Sequence, residues 1–303
     1  MGNLLEIGVA TYTDGPYYSL LFSERLHLGF YAEKNLLRLA RAFAATRLVV
    51  DDLKKFYSTL PSSDSGSTAH FFPSPLPEPN YYGFMPSLTF LRRLSRSGEI
   101  VVLAEDEIAR QSGIYLASMA RPDAEMGVSS GPSASSSADS PANEVIVKFT
   151  AKYHPEAHRR LAAKGFAPTL HACVPVCGGL YMVVMDRVHG ELAWDIVKRN
   201  ELIPHEAYED IEDAITLLHS DNLVFGDLRT PNIMVVPSGS DSDARCRGIL
   251  IDYEWVGVHG ITRYPASLND LLKDWESSGI TRYGVMDKAH DIVMLNKFKE
   301  HCR

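Results

Sequence analysis

One short stretch decides how this chain is interpreted: Gly226-Asp227-Leu228-Arg229-Thr230-Pro231-Asn232, which runs into Ile233. A helical pattern ends shortly before this stretch, and a short apolar segment follows it. An Asp and an Asn five residues apart on one tight loop offer a carboxylate beside an amide oxygen. The same two side chains can also do no more than cap neighbouring backbone groups in a turn. The stretch alone therefore leaves a chemical and a structural interpretation open.

A second carboxylate follows at the end of an apolar strand, in Leu250-Ile251-Asp252. Phosphoryl transfer needs a carboxylate that orients the attacking hydroxyl group, and it needs oxygen ligands for Mg²⁺. Asp227 can supply the first, and Asn232 with Asp252 can supply the second. Arg229 is placed to offset the charge that develops on the transferring phosphoryl group. The order of loop, hairpin and second carboxylate therefore favours a phosphotransferase site over a plain turn.

Composition and charge exclude several other classes of protein. The chain has 303 residues, 45% of them hydrophobic, and a formal net charge of -8, which argues against a general nucleic-acid-binding protein. Its four cysteines are too few for a disulfide scaffold. We find neither a secretory signal nor a stretch of about 20 apolar residues. We therefore expect a soluble intracellular protein, cytoplasmic or nuclear, with no nucleic-acid or membrane partner.

Hydrophobic periodicity predicts a chain of mixed helices and strands. Segments rich in Pro, Ser or other small polar residues predict mobile loops at 61–80, 121–143 and 237–247. Strands are predicted at 100–103, 114–119, 144–149 and 180–185, and a hairpin at 233–236 with 248–252. Helices are predicted within 26–57 and at 155–164, 192–199, 205–220, 268–275 and 287–300.

These segments, in this order, resemble the protein-kinase-like superfamily over roughly residues 85–300. The stretches that carry the resemblance read V-I-V-K-F, E-A-H-R-R-L-A, Y-M-V-V-M-D, G-D-L-R-x-P-N-I and I-D-Y-E-W. More narrowly, the chain is similar to the fungal (basidiomycete-type) protein kinase-like proteins. Their metal-binding segment reads roughly I-D-F-D-W with a later R-Y-P, and the corresponding segments here are 251–255 and 263–265.

The resemblance implies an α+β chain with a two-lobed protein-kinase-like fold. We expect a small antiparallel β-sheet in the N-lobe, an abbreviated and mostly helical C-lobe, and an extra N-terminal helical segment. The implied domains are 1–80 (helical extension and Pro/Ser-rich linker), 81–190 (N-lobe, with a mobile insertion at 121–143) and 191–303 (C-lobe). ATP and Mg²⁺ are the implied cofactors.

The resemblance also implies roles for residues upstream of the loop. Lys148, the one cation of an apolar strand, would contact the phosphates, although a lysine on the solvated face of a strand is the alternative. Glu156 would be its ion-pair partner, or it is simply an acidic residue that favours the start of a helix. Backbone groups near Met185 and Val188 would bind adenine. In the same way Asp227 would be catalytic, and Asn232 with Asp252 would bind Mg²⁺.

The chain also departs from the family pattern. No G-x-G-x-x-G precedes Lys148, Phe225-Gly226 replaces the usual H-R, and A-P-E is missing. Glu254 is either an added carboxylate near the metal or a solvated residue at a strand end. We expect an ATP- and Mg²⁺-dependent kinase that acts on a Ser/Thr hydroxyl group. The alternatives are a pseudokinase that binds nucleotide or protein, and a small-molecule kinase of the aminoglycoside/choline phosphotransferase type.

Overall fold

The computed structural model describes residues 4–12, 16–25, 33–59, 72–94, 113–120, 143–237, 245–266, 268, 275 and 278–303. The described residues before Ser74 form one compact unit, and those from Ser74 onward form another. Several predicted features lie outside the described residues: the strand at 100–103, the turn near 95–99, most of the helix at 268–275 and nearly all of the insertion at 121–143.

The first unit contains a β-hairpin and a long helix. Strands β1 (Leu4–Tyr12) and β2 (Pro16–Arg25) pair antiparallel, and α1 (Glu33–Thr59) follows them. The helix predicted within 26–57 is confirmed. The hairpin was not predicted, although Asp14-Gly15 between its strands is a residue pair that favours tight hairpin turns. The N-terminal segment had been expected to be helical, but it contains a β-hairpin as well as a helix.

The second unit begins with a five-stranded antiparallel sheet. Its strands are β3 (Leu88–Leu94), β4 (Ile114–Met119), β5 (Asn143–Thr150), β6 (Leu170–Val176) and β7 (Leu180–Asp186), in the spatial order β3-β4-β5-β7-β6. The predictions of β4, β5 and β7 are confirmed. The two edge strands were missed because β3 contains Arg92 and Arg93 and β6 contains Pro175, a residue that sheets accept mainly at their edges.

Alternation along β5 separates its side chains onto the two faces of the sheet. Val145 and Val147 are completely buried in a cluster confined to one face, together with residues of β6 and β7. Ile146 instead packs against the larger core of the helical lobe. Lys148 is two residues further along, so it lies on the same face as Ile146 and is directed towards the helical lobe.

Helix α2 (Pro155–Ala162) connects β5 and β6 and confirms the helix predicted at 155–164. The side chain of His154 caps its N-terminus by accepting the N–H of Ala157 at 3.2 Å. Gly165 adopts a φ of 79° just after the helix, a conformation that costs glycine little. Ala157 and Leu161 of this helix belong to the large core, so α2 packs against the helical lobe as well as the sheet.

The rest of the second unit is the helical lobe, with α3 (Ala193–Lys198), α4 (His205–Ser220) and α5 (Lys288–Lys299) as predicted. Short strands complete it: β8 (Glu191–Leu192), β9 (Leu223–Val224), β10 (Ile233–Pro237), β11 (Cys246–Leu250) and β12 (Gly257–Val258). Strands β10 and β11 form the predicted hairpin. Gly248 lets β11 approach α4, because a Cβ there would lie 2.2 Å from the carbonyl oxygen of Ala207.

This architecture is the predicted α+β, two-lobed kinase-like fold, with a small antiparallel sheet followed by a mostly helical lobe. Both lobes belong to the second unit. In the part of the chain that the structure describes, no helix is both long and apolar enough to cross a bilayer.

Candidate active site

The loop at 225–229 runs from β9 into a single 3₁₀ turn, Thr230–Asn232. The N–H of Arg229 donates to the carbonyl of Asp227, and that of Asn232 donates to the carbonyl of Arg229, each at 2.9 Å. The guanidinium group of Arg229 holds both carboxylate oxygens of Asp227, with Nε at 2.5 Å and Nη2 at 2.9 Å. Asp227 is thus fixed by a contact from within its own loop.

Burial dominates the electrostatics of Asp227, whose side chain is only 12% exposed. Removal from water raises the pKa of this carboxyl above its ordinary value of 3.8, and the guanidinium of Arg229 opposes the rise without cancelling it. The nearby carboxylate of Asp252 adds to the rise. Asp227 is consequently a better proton acceptor than an exposed aspartate.

Asn232 and Asp252 are brought together by the β10–β11 hairpin. Ile233 lies opposite Leu250 in its register, and the N–H of Ile251 donates to the carbonyl of Asn232 at 3.0 Å. The side-chain amide of Asn232 donates through Nδ2 to the carbonyl of Asp227 at 2.9 Å. That bond leaves the amide oxygen of Asn232 available as an acceptor.

Lys148 reaches this group from the sheet. Its Nζ lies 2.8 Å from Oδ2 of Asp252 and 2.7 Å from Oε1 of Glu254. Burial alone would lower the pKa of Lys148, but the two carboxylates outweigh it and hold the pKa above its usual value of 10.5. Lys148 is therefore a charged ammonium group, and the interpretation of it as a solvated strand residue is wrong.

Glu156 is placed differently from what was expected. It lies in the first turn of α2 with 74% of its side chain exposed, and its carboxylate lies 3.6 Å from Nδ1 of His154. The expected ion pair between Lys148 and Glu156 is not formed. Glu254 takes that place, although it had been considered as a solvated residue. Sequence spacing could not reveal this exchange, because it depends on how α2 turns on the sheet.

Tyr253 anchors the segment that carries Asp252. Its completely buried ring stacks on His158 of α2, with centroids 4.4 Å apart and planes 6° apart. It also contacts Phe225 edge-on at 5.8 Å. Asp252 itself has a φ of 68°, which is uncommon for a residue other than glycine. The buried ring holds this bend in place.

The carboxylate of Asp291, on α5, holds the backbone of the loop at 225–229. It accepts the backbone N–H groups of Phe225 at 2.7 Å and Gly226 at 2.9 Å, and the ring of His219 lies 3.0 Å from it. Asp291 is only 1% exposed. No local sequence signal marks Asp291 as a partner of the loop.

The two residues predicted to bind adenine lie at the end of β7. Met185 is buried in the sheet, opposite Ile146 of β5 and Leu170 of β6. Val188 follows the strand, and within the described part of the chain its backbone N–H and C=O groups have no protein partner. As far as the described residues go, the backbone of Val188 is unpaired, whereas that of Met185 belongs to the sheet.

A pair of stacked tryptophans contacts Arg229. The guanidinium carbon of Arg229 lies 4.8 Å from the centroid of the Trp275 ring, and Trp275 stacks on Trp255 at 5.8 Å. Trp275 is 5% exposed. Such a contact between a guanidinium and an indole is attractive, so Trp275 does more than fill the core.

The oxygen ligands in this group suit Mg²⁺, which proteins usually hold with one or two carboxylates and the phosphates of a substrate. Asp252 offers a carboxylate and Asn232 an amide oxygen. No set of three or more His, Cys, Asp or Glu residues among the described residues forms a self-sufficient metal cage.

Comparisons with known proteins give one informative result. No family model matches the chain, and no curated protein matches it. Solved structures that match include the kinase PK-1 of Cydia pomonella granulovirus, which is 18% identical in sequence. That alignment covers 70% of this chain and 67% of the viral chain, with a TM-score of 0.44.

Proposed function

We propose that this chain is an ATP- and Mg²⁺-dependent phosphotransferase, and that it transfers phosphate to a hydroxyl group, preferably of a protein Ser or Thr. The observation that carries the proposal is the contact of Lys148 with Asp252, 2.8 Å apart, beside the loop of Asp227 and Asn232. Phosphoryl transfer requires a cation for phosphates, oxygen ligands for Mg²⁺ and a carboxylate for the acceptor. All three occur in this one group of residues.

On the nucleotide side, Lys148 exchanges a carboxylate for the phosphates. The oxygens of Asp252 and Asn232 then hold Mg²⁺, and backbone groups at Val188 and Met185 hold adenine. ATP with Mg²⁺ supplies the phosphoryl group and neutralises part of its charge. The backbone of Val188, unpaired among the described residues, supports this assignment more strongly than the sheet-bound backbone of Met185 does.

On the acceptor side, Asp227 accepts the hydrogen bond of the attacking hydroxyl group and orients its oxygen. Its raised pKa supports this role, because it makes the carboxylate a stronger proton acceptor. Arg229 takes one acceptor site on each oxygen of Asp227, so further lone pairs remain for the hydroxyl group. Its guanidinium group lies where it can offset the charge of the transferring phosphoryl group.

The experiment that tests this function compares three variants in Mg-ATP binding and in transfer of labelled phosphate. Asp227→Ala should abolish transfer and leave Mg-ATP binding within about twofold of wild type, since Asp227 faces the acceptor. Asp252→Ala should remove the Mg²⁺-dependent part of nucleotide binding. Asp213→Ala, at an exposed position of α4, is the control. Undiminished transfer by the Asp227→Ala variant would contradict the proposal.

A pseudokinase is the second candidate, and one observation favours it. Both oxygens of Asp227 are held by Arg229, and the ammonium of Lys148 already has two carboxylate partners. Thermal unfolding with and without Mg-ATP separates the candidates. A ligand at 100 times its dissociation constant adds about 2.7 kcal/mol, so the absence of a shift with any nucleotide favours a binding module. Labelling of small alcohols instead of protein would favour a small-molecule kinase.

A further inference from the structure

Two carboxylates share the ammonium of Lys148, and they come from one short segment. Asp252 and Glu254 lie 2.8 and 2.7 Å from Nζ. The lysine side chain is 15% exposed, and the two acidic side chains are 31% and 29% exposed. An ammonium group that is this buried requires a partner, because an unpaired charge in such a site is costly.

The segment that follows β11 directs both carboxylates towards the lysine. Tyr253 between them is completely buried and packs on the opposite side, against His158. Asp252 and Glu254 flank it and are directed away from that core. The backbone N–H of Glu254 also donates to Oδ1 of Asp252 at 3.3 Å. The position of Glu254 therefore follows from the buried tyrosine and does not depend on a flexible surface.

Helix α2 does not provide a competing carboxylate. Glu156 is 74% exposed and lies 3.6 Å from Nδ1 of His154, and it makes no ion pair with Lys148. A lysine that is to bind phosphates needs a partner that stays in place when the nucleotide arrives. Asp252 is the weaker candidate for that partner if it binds Mg²⁺, since the metal and the ammonium group then compete for the charge of one carboxylate.

We propose that Glu254 is the residue that positions Lys148 for the phosphates of a nucleotide, in the place that Glu156 had been expected to take. The inference rests on the proposed function. When Asp252 binds Mg²⁺, Glu254 remains as the carboxylate that holds the ammonium group at the phosphates. Glu254 is thus a positioning residue, which acts through Lys148 and not on the substrate.

The test compares Glu254→Gln with Glu156→Gln, using Mg-ATP and adenosine as probes. Glu254→Gln removes the charge-assisted hydrogen bond that holds Lys148, so it should weaken Mg-ATP binding by roughly 10- to 100-fold, the range that the loss of such a bond implies. Adenosine carries no phosphate for Lys148 to contact, so its binding should not change. Glu156→Gln should leave the binding of both probes unchanged. If Glu254→Gln misfolds, Glu254→Asp keeps the charge and should weaken Mg-ATP binding by a smaller factor.

A second readout does not depend on nucleotide. Reaction of Lys148 with an amine-specific reagent, followed by mass spectrometry of the ligand-free protein, should be faster in the Glu254→Gln variant and unchanged in the Glu156→Gln variant. The inference is overturned if Glu254→Gln binds Mg-ATP normally, if it weakens adenosine equally, or if Lys148 reactivity follows Glu156. The two proposals can fail separately. If the wild-type protein binds no nucleotide, but Lys148 still reacts faster in the Glu254→Gln variant, the proposed function is overturned and the ion pair between Lys148 and Glu254 stands.

Discussion

The carboxylate of Asp291 accepts the backbone N–H of Gly226 at 2.9 Å, although the two residues are 65 positions apart in the chain. The neighbouring N–H of Phe225 donates to the other oxygen of the same carboxylate at 2.7 Å. Two consecutive buried amides are thereby satisfied by one side chain. This contact ties α5 to the loop that carries Asp227, so the loop conformation depends on the last helix.

Replacement of Asp291 by Asn should destabilise the fold. The side-chain NH₂ group of Asn would replace one of the two carboxylate oxygens, so one backbone N–H would lose its acceptor and face another donor. Hydrogen bonds to charged groups contribute about 1.5–3 kcal/mol to stability. Urea unfolding measures the loss. Asp213→Asn on the exposed face of α4 is the matched control, with an effect within about 0.5 kcal/mol. Equal unfolding midpoints for the two variants would show that Asp291 does not support the loop.

Gly226→Ala should disturb the same loop in two separable ways. Gly226 has a φ of 82°, and a left-handed conformation costs an L-residue about 1–2 kcal/mol. An added Cβ would also lie 2.2 Å from Cε of Met286. A double-mutant cycle with Met286→Ala measures the clash as a coupling energy, and the remainder is backbone strain. Fully additive effects would mean that the methionine simply moves aside.

Acid should destabilise this protein through His158. Burial lowers the pKa of His158 to about 4 from 6.5, and only the backbone carbonyl of Pro168 partly opposes this. Among the described residues the ring has no carboxylate partner, and the titratable and charged groups around it are Tyr153, Tyr253 and Arg159. Because the folded pKa is depressed, the unfolded chain takes up the proton first. The contribution of His158 to the free energy of unfolding is therefore fully present above about pH 6.5, and roughly 2 kcal/mol of it is lost by pH 5.

Unfolding of wild type and His158→Phe between pH 7.5 and pH 5 checks this expectation. Phenylalanine keeps a ring to stack on Tyr253 but cannot titrate. The variant should start less stable, since the hydrogen bonds of His158 to Tyr153 and Pro168, 2.8 Å each, are lost. Its stability should then fall less steeply with acid. Parallel pH curves for the two proteins would assign the acid sensitivity to other groups.

Trp275→Leu should reduce phosphate transfer without affecting nucleotide binding. The indole lies under the guanidinium of Arg229 at 4.8 Å, and such contacts contribute about 0.5–2 kcal/mol, or roughly 3- to 30-fold in rate. Trp275→Phe should lose less. Trp194→Leu, at a position that is 47% exposed, serves as the control in steady-state kinetics. Equal turnover by the Trp275→Leu and Trp194→Leu variants would show that Trp275 does not contribute to phosphate transfer.

Much of the candidate site was predictable because its information is local. The Asp227 and Asn232 pair lies on one loop, Asp252 ends a recognisable hairpin, and the alternation of β5 directs Lys148 away from Val145 and Val147. Each of these inferences needs only the period of a strand or the length of a turn. The edge strands and the N-terminal hairpin were missed because charged residues, a proline or weak alternation obscured their period.

The partners of these residues were not predictable in the same way. Glu156 was chosen for Lys148 because it comes next along the chain, yet the helix presents it to solvent, and Glu254 makes the ion pair. Asp291 and Trp275 carry no local pattern that links them to the loop. Their contacts arise because separate elements pack on one core, and only a folded chain specifies which side chains then meet.

The sequence by itself predicted the class of fold, through its resemblance to a known family, and the segments that carry Lys148, Asp227, Asn232 and Asp252, since local motifs and strand periodicity identify both. The tertiary structure decided which carboxylate holds Lys148, what keeps Asp252 in its bend, and that Asp291 supports the loop at Gly226. The physical reason is that ion pairs and buried hydrogen bonds depend on distances of a few ångströms between elements far apart in the chain.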